Sequence, residues 1–237
     1  MIDAFFSALS GMRTASRRLQ VSANNTANLQ TPGFKKSSTV ISDNRLGGAR
    51  VSGTLRSNAP GAILTTNDPL NIAIQGNGFF QVGQPGGGTA FSRSGVFQTD
   101  DTGRVVNANG NPLQPEITVP VNIESVGITA SGQVTGFANG QNITLGQIQL
   151  AGFNNPGGLT PLGNNEFGQS AQSGQPVVGN PGSGGLGLLI PGALETSNVD
   201  IAEEAINQIV AKTAFKANAN VVRTADEMTG TLLNIKA

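Results

Sequence analysis

The sequence predicts an α+β fold in which long helices at both ends of the chain enclose a β-rich segment. Between residues 206 and 235, apolar residues recur at about 3.6 residues per step, the period of one face of an α-helix. Residues 2–26 carry a second stripe with steps of three and four. Between the two stripes lie short alternating apolar runs separated by turn residues. We therefore expect the end helices to form a coiled-coil-like core module, with an antiparallel β barrel or sandwich domain inserted between them.

Composition and charge exclude several classes of function. The chain has no cysteine and no histidine, which removes disulfides, thiolate chemistry and imidazole ligands. Its formal net charge is zero, but residues 1–56 carry eight basic and two acidic side chains. These charges are dispersed and lack an aromatic stacking platform, so we expect no nucleic-acid partner. No run of 18 apolar residues is present, so we expect no membrane span.

The N-terminal helix has a weak apolar face. Its larger members are Ile2, Phe5, Leu9, Met12 and Leu19, and the remaining positions of the stripe are small or hydroxyl residues. Such a helix is marginal alone and needs a partner, for which the C-terminal helix is the nearest candidate. The alternative, that both are ordinary surface helices on the β domain, stays open at this point.

The C-terminal helix is long and carries the stronger stripe. At 1.5 Å per residue, about 35 residues span roughly 50 Å, too long for a small globular body. Ser197 or Asn198 can cap its first turn, where Asp200, Glu203 and Glu204 add negative charge at the positive end of the helix dipole. We expect its contacts with partner helices to come from Ile206, Val210, Phe215, Val221, Met228, Leu232 and Ile235.

The middle of the chain divides into three segments by composition. We expect residues 35–61 to be an extended connector and 62–153 to be the β domain, with an Asn-Gly turn at Asn139-Gly140. Residues 154–196 are rich in Gly and Pro and predict either a long ordered loop or a partly disordered return segment. The helical module would then consist of 1–34 and 197–237.

Four sequence blocks resemble one known family. The first contains Asn24, Asn25, Ala27 and Asn28, followed by Gly33, Phe34 and Lys35. The second contains Gly76, Gly78, Phe79 and Phe80, and the third contains Arg93 and Gly95. The fourth begins with Glu195-Thr196-Ser197-Asn198-Val199, continues with Ala214-Phe215-Lys216-Ala217-Asn218 and ends in Ala225-Asp226-Glu227-Met228. These blocks resemble, in the same order, the motifs of the axial proteins of the bacterial flagellum, the rod and hook subunits. Together they frame nearly the whole chain.

This resemblance implies a structural protein. It implies a rod-type subunit of the flagellar basal body that polymerises helically, transmits motor torque to the hook and has no cofactor or metal. The implied partners are further copies of itself, other rod and hook subunits, the surrounding basal-body rings and the flagellar type III export apparatus. The implied location is the periplasm-spanning basal body, reached without a cleaved signal peptide, with which the acidic Asp3 near the N-terminus agrees.

Two other interpretations remain open from the sequence. A short hook subunit has similar terminal motifs, although hook proteins usually carry a larger outer domain. A secreted β-rich adhesin or carbohydrate-binding module would explain the polar middle segment but not the two amphipathic ends. An enzyme is disfavoured, because Gly182–Gly187 matches G-x-G-x-x-G without the strand and helix of a dinucleotide site, and no carboxylate pair is marked as catalytic.

Overall fold

The chain forms two compact units that combine helices with an antiparallel β region, which confirms the α+β class. The computed structural model describes residues 2–45 and 47–235, and side chains for 3–45 and 47–232. The helical unit comprises residues up to 29, residues 35–57 and residues from 199 onward. The β unit comprises residues 30–34 and 58–198.

The helical unit contains two helices and one hairpin. The helices are α1 (Ile2–Ala27) and α2 (Ile201–Ile235), and the hairpin strands are β1 (Ser37–Asp43) and β2 (Ala49–Arg56). The capping expectation was wrong: the Asp200 carboxylate, rather than Ser197 or Asn198, accepts hydrogen bonds from the backbone N–H groups of Ala202 and Glu203. Asp200 therefore supplies both the cap and a negative charge at the helix start.

The β unit contains sixteen short strands and one turn of 3₁₀ helix. The strands are β3 (Ile63–Thr65), β4 (Ile72–Gln75), β5 (Phe79–Gly83), β6 (Thr89–Ser92), β7 (Phe97–Thr99), β8 (Val105–Asn107), β9 (Leu113–Gln114), β10 (Ser125–Ile128), β11 (Gln133–Ala138), β12 (Gln141–Gln147), β13 (Leu150–Gly152), β14 (Thr160–Gly163), β15 (Glu166–Gly168), β16 (Val177–Gly179), β17 (Leu188–Pro191) and β18 (Ala193–Glu195), with the 3₁₀ turn at Pro156–Gly158.

All strand pairs are antiparallel and distribute over several small sheets. The largest has the order β14-β15-β6-β5-β13-β16, with β9 also paired to β5. A three-stranded sheet has the order β10-β11-β12, and β17-β4, β18-β3 and β7-β8 form pairs. The sheets of the described residues are not closed into a barrel, so that form of the expectation is not confirmed.

Strand β5 is the centre of the β unit because both of its faces are buried. Phe80 and Val82 point into the main apolar cluster, which also contains Leu113 and Leu150. The opposite face carries Phe79, which packs against a second cluster around Phe91 and Phe167. Alternate side chains of a strand point to opposite faces, so the adjacent Phe79 and Phe80 place an apolar ring on each face of β5.

The Gly/Pro-rich segment 154–196 is neither a loop nor disordered. It supplies β14 to β18, and β15 pairs with β6 through Glu166 opposite Ser92 and Phe167 opposite Phe91. The expected turn at Asn139-Gly140 is confirmed between β11 and β12, and both residues have positive φ, 51° and 77°. No helix of the described residues is long and apolar enough to cross a membrane.

Replacement of Gly95 by alanine is expected to destabilise the β unit. A Cβ at this position would overlap the carbonyl oxygen of Ile72, whose N–H donates to the Gly95 carbonyl at 2.9 Å. Overpacking of this kind costs about 1–3 kcal/mol. Since the chain lacks Trp and Tyr, urea unfolding followed by circular dichroism measures the change.

Gly157→Ala is the matched control, because a Cβ there meets only ordinary contacts at 3.5 Å and beyond. We expect its free energy of unfolding to stay within about 0.5 kcal/mol of the wild type. Equal stability of Gly95→Ala and Gly157→Ala would contradict this close packing.

Candidate assembly interface

The two helices of the helical unit meet along a seam of small and polar residues. The buried apolar side chains of α1 and α2, among those described, are all alanines: Ala8, Ala15, Ala211 and Ala225. A Cβ at Gly11 would lie 2.5 Å from the side-chain oxygen of Asn218, so a larger residue there would require the Asn218 side chain to move. Asn218 lies opposite Gly11 and Glu204 lies opposite Asn25, which makes the pair antiparallel.

Asn25 is the polar centre of the helical unit. Its side chain is 1% exposed, and its amide nitrogen donates to the Glu204 carboxylate at 2.9 Å and to the Ser37 carbonyl at 2.8 Å. Its amide oxygen accepts the Ser37 N–H at 2.9 Å. One side chain therefore joins α1, α2 and the first strand of the hairpin, and Lys36 adds an ion pair with Glu203 at 2.7 Å.

The apolar stripe of α2 is not covered by α1. The seam uses Ala211 and Asn218, whereas the expected interface residues Val210 and Val221 are exposed, so the helices pack mainly through an adjacent face. The exposed fractions of the stripe side chains are 61% for Ile206, 44% for Val210, 40% for Phe215, 46% for Val221, 53% for Met228 and 53% for Leu232. Among the described residues of the helical unit, the apolar side chains of this stripe thus remain about half exposed.

The α1 stripe is also partly open. Phe5 and Leu19 are exposed at 41% and 42%, whereas Leu9 and Met12 are half-buried. The side chains of Ile2 and Ile235, the two outermost residues of the expected interface, lie outside the described residues. Both helices therefore present apolar side chains that a neighbouring molecule could cover.

The register of the pair leaves the end of α2 beyond the start of α1. With Gly11 opposite Asn218 and Asn25 opposite Glu204, the first residue of α1 falls near position 227 of α2. Residues 228–235 then extend past α1 by about 10 Å at 1.5 Å per residue. This overhang includes Met228 and Leu232.

The motif residues of the β unit converge on one buried ion pair. The Arg93 Nε donates to the Glu195 carboxylate at 2.6 Å, and its terminal nitrogens donate to the carbonyls of Gly78 at 2.6 Å, Ile74 at 2.9 Å and Gly76 at 2.6 Å. Arg93 and Glu195 have side chains only 6% and 1% exposed. Gly76 and Gly78 have φ of 115° and 130°, which explains glycine at both positions of this loop.

The same ion pair holds the two places where the chain enters and leaves the β unit. The Gly33 N–H donates to the Glu195 carbonyl at 2.7 Å, and the Asn198 N–H donates to the Phe34 carbonyl at 3.4 Å. Gly33 has φ of 68°, and a Cβ there would lie 2.6 Å from the Arg93 backbone. The entering and leaving segments are thus hydrogen-bonded side by side at the edge of the unit.

The remaining motif residues have structural positions of three kinds. Asn24 and Ala27 are exposed at the end of α1, where the Asn28 side chain donates to the Asn24 carbonyl at 2.9 Å. Phe80 packs edge-to-face on Phe97 with ring centroids 5.0 Å apart, and Phe79 packs on Phe153. Of the remaining motif residues, Lys35 and Val199 are buried, and Phe34 and Ser197 are half-buried.

Sequence reasoning marked Glu195 only as the first residue of a family motif, and it did not single out Glu166. Glu195 closes the Arg93 site, and Glu166 accepts hydrogen bonds from the side-chain amides of Gln84, Asn107, Asn109 and Asn111. Nothing in the local sequence marks Glu166, because its amide partners lie 55 or more residues away.

Asp100 is a carboxylate held by the contacts of its own turn. Within the described part of the chain, no group of three potential metal ligands comes together. The Asp100 carboxylate is occupied by its own turn, where the Thr102 hydroxyl, backbone N–H groups and the Arg104 guanidinium hold its pKa well below the usual range. These contacts stabilise a hairpin turn, and the described surface of the helices is the stronger candidate for function.

Comparisons with known proteins follow the same division of the chain. Three family models match in order: "Flagella basal body rod protein" over residues 6–35, "Flagellar hook protein FlgE/F/G D1 domain" over 73–136, and "Flagellar basal body rod FlgEFG protein C-terminal" over 190–235. The flagellar basal-body rod protein FlgG of Buchnera aphidicola subsp. Baizongia pistaciae is 37% identical, covering 96% of this chain and 97% of that protein. That of Caulobacter vibrioides is 36% identical with the same coverage.

The chain belongs to the FlgG family of flagellar basal-body rod proteins. The flagellar hook protein FlgE of Salmonella typhimurium is 35% identical over 78% of this chain, but the match covers only 44% of the hook protein. Similarity to FlgG proteins therefore extends end to end, whereas more than half of that hook protein has no counterpart here.

The matched FlgG-family segments coincide with the contacts described above. The first includes the Gly11 approach and Asn25, the second includes the Gly76–Gly78 loop and Arg93, and the third includes Glu195 and α2. The motif positions thus maintain the helix seam and the junction of the β unit.

Removal of the Arg93 side chain is expected to destabilise the β unit strongly. Arg93→Ala leaves the Glu195 carboxylate buried without its cation and three carbonyls without their donor, a loss of about 3–5 kcal/mol. Urea unfolding measures the change. The control Arg104→Ala breaks an ion pair whose arginine is 44% exposed, which costs at most about 1 kcal/mol. Similar losses in both variants would refute the central place of the Arg93–Glu195 pair.

Proposed function

We propose that this protein is a structural subunit of the flagellar basal-body rod in flagellum-dependent motility. The observation that carries the proposal is the end-to-end match to FlgG proteins, whose first and last matched segments contain the helices with uncovered apolar faces. The relatives are named as flagellar basal-body rod proteins and not as enzymes. The function is therefore mechanical rather than enzymatic.

Assembly of the subunit rests on its helices. Complete burial of a large apolar side chain stabilises by about 1.5–3 kcal/mol, so covering the open half of each stripe residue adds about 1 kcal/mol. The six described stripe positions on α2 thus supply several kcal/mol per subunit. A neighbour that covers them with a different surface makes a heterologous contact, which repeats into an open helical filament.

The proposed arrangement assigns separate tasks to the two parts of the fold. Helices α1 and α2, from the segments 1–34 and 197–237, form the coiled-coil-like core of the filament, with 35–61 as the connector. The inserted β domain, from 62–153 with the return segment 154–196, forms the next layer. A filament continuous through such a core transmits torque from the motor towards the hook. Packing of the small sheets as a sandwich is part of this proposal.

The proposed partners follow from membership of the family. They are further copies of this chain, other rod subunits and hook subunits, with the basal-body rings around the rod and the type III export apparatus that delivers the chain. The proposed location is the periplasm-spanning part of the basal body. The similarity to a hook protein over 78% of this chain supports hook subunits as neighbours built on the same helical ends.

The two alternative functions have less support. A hook subunit would be expected to match hook proteins along their length, and the match covers 44% of the hook relative. An adhesin or carbohydrate-binding module would leave the apolar stripes on α1 and α2 without a purpose. The adhesin alternative also does not explain the three consecutive family matches.

Substitution of Leu232 by aspartate is expected to abolish rod assembly while the β unit stays folded. Leu232 lies on the α2 overhang and is 53% exposed, so a carboxylate there remains solvated in the free chain but is buried without a partner on assembly. In a strain from which the native gene is deleted, swimming with this variant should equal that of the deletion, and electron microscopy should show truncated rods.

The matched control is Val121→Asp, which changes the most exposed large apolar side chain of the β unit. This control should restore swimming in the deletion strain. Intact flagella in the deletion strain would contradict the proposed function, and wild-type swimming with Leu232→Asp would contradict the helical core.

A further inference from the structure

The three-stranded sheet of the β unit has two open edges. Its order is β10-β11-β12, and both strand pairs are antiparallel. Among the described residues, β10 and β12 are each paired with β11 alone. The outer side of such a strand presents backbone N–H and C=O groups that can pair with a strand of another molecule.

The edge formed by β12 has few of the features that prevent strands from pairing between molecules. Such features are charged side chains, proline, bulges and short strands. Several other outer strands have them: β14 contains Pro161, β16 has only three residues, and β1 and β2 end in the charged Asp43 and Arg56. The seven residues of β12 include neither charge nor proline. Its bulge leaves Leu145 unmatched, so the regular part of the edge is the exposed segment Gln141–Thr144.

The two open edges carry side chains that match on both faces of the sheet. Ser125 on β10 and Asn142 on β12 lie opposite the same residue of β11, so these polar residues share one face. Val126 and Ile143 lie opposite the preceding residue of β11 and share the other face. Val126 packs against the main apolar cluster, whereas Ile143 is 45% exposed. A strand with the side-chain pattern of β10, added beside β12, would therefore cover Ile143.

Neither edge carries a charge. Residues 125–165 contain no Asp, Glu, Lys or Arg, and both β10 and β12 lie within this segment. Contact between the two edges thus removes no charge from water, whereas a charged partner would bury a charge without a counter-charge. The partner that fits β12 is an uncharged strand as long as its regular part, and β10, with four residues, is such a strand.

We propose that the β12 edge of one copy pairs with the β10 edge of the next copy, an inference that rests on the proposed rod function. Since β10 and β12 are both antiparallel to β11, they run in the same direction. Copies related by rotation and translation along a rod then pair these strands in parallel, with Asn142 beside Ser125 and Ile143 beside Val126. Apolar side chains meet on one face and polar side chains on the other, which fixes the register. The contact joins β units and is separate from the helices of the core.

The identity of the paired strands decides whether the contact can grow. Pairing of β12 with β10 joins two different edges, so it is heterologous and repeats from copy to copy. Pairing of β12 with β12 of another copy would be isologous and would stop at two copies. The strands in contact therefore distinguish a growing filament from a closed dimer.

Disulfide trapping tests the contact directly, because the chain has no cysteine. Chains carrying only Ser125→Cys and chains carrying only Asn142→Cys are produced in the same cells, and the basal bodies are isolated and oxidised. A linked dimer that requires both variants is expected. The control replaces Ser125→Cys by Ser131→Cys, at an exposed position beyond the end of β10, and should give no link.

A chain that carries both Ser125→Cys and Asn142→Cys should form linked oligomers rather than an internal bridge. The two positions are two strands apart in the sheet, which separates them by about 10 Å, since neighbouring strands lie about 4.8 Å apart. Cα atoms more than about 7 Å apart cannot be joined by a disulfide without backbone movement. Linked species longer than the dimer would thus show that the sheet extends through successive copies.

A lysine on the β12 edge provides the second measurement. Ile143→Lys places a charge beside Val126 of the next copy, where it has no counter-charge, so the swimming zone should fall below half of the wild-type zone. Gln133→Lys is the matched control, because it makes the same change in net charge at an exposed position of the middle strand. It should swim normally. Circular dichroism checks that each free chain keeps its fold, and the disulfide measurement is independent of both lysine variants.

Rods isolated without the linked dimer, or a dimer formed by Asn142→Cys alone, would overturn the proposed pairing. Wild-type swimming with Ile143→Lys would also overturn it, as would an equal loss with Gln133→Lys, because the effect would then belong to net charge. These outcomes are separate from failure of the rod function, which would appear as intact flagella in the deletion strain.

Discussion

The close approach of α1 and α2 determines which side chains of the helices are buried in their seam and which remain exposed. Glycine at position 11, facing Asn218, permits a seam filled by alanines and by polar side chains such as Asn25. Such a seam buries little apolar area, so it fixes the register of the helices without supplying much stability. The larger apolar side chains remain outside it. We therefore expect the helices to depend on neighbouring subunits for much of their stability, as a polymerising subunit would.

In the β unit, one junction holds both the segment that enters the domain and the segment that leaves it. The Arg93 guanidinium neutralises Glu195 and satisfies the carbonyls of the Gly76–Gly78 loop, while the Glu195 backbone and side chain hold Gly33 and the N–H of Gly61. A buried ion pair adds little net stability over apolar packing, but it penalises any arrangement that leaves one partner unpaired. It therefore specifies the position of both connecting segments.

The sequence predicted the helices, many of the strands and the family. It did not predict the seam between the helices or the strands of residues 154–196. Period 3.6 identified both helices, and alternating runs identified strands such as β5 and β11. The seam was missed because Gly, Ala, Ser and Asn carry no hydrophobic signal, and the stripe that was visible lies one position away. Strands in 154–196 were missed because their pairing partners, such as β6 for β15, lie far along the chain. Glu166 owes its position to contacts that no local pattern contains, and the motif that includes Glu195 did not reveal its ion pair with Arg93.

Amide hydrogen exchange compared between the free chain and the isolated rod tests the central claim, that assembly rather than the intrachain seam stabilises the helices. The account predicts weak protection of residues 206–232 in the free chain, strong protection of the same residues in the rod, and strong protection of β5 and β13 in both. Strong protection of α2 in the free chain, equal to that of β5, would show that the seam suffices on its own and would contradict the account.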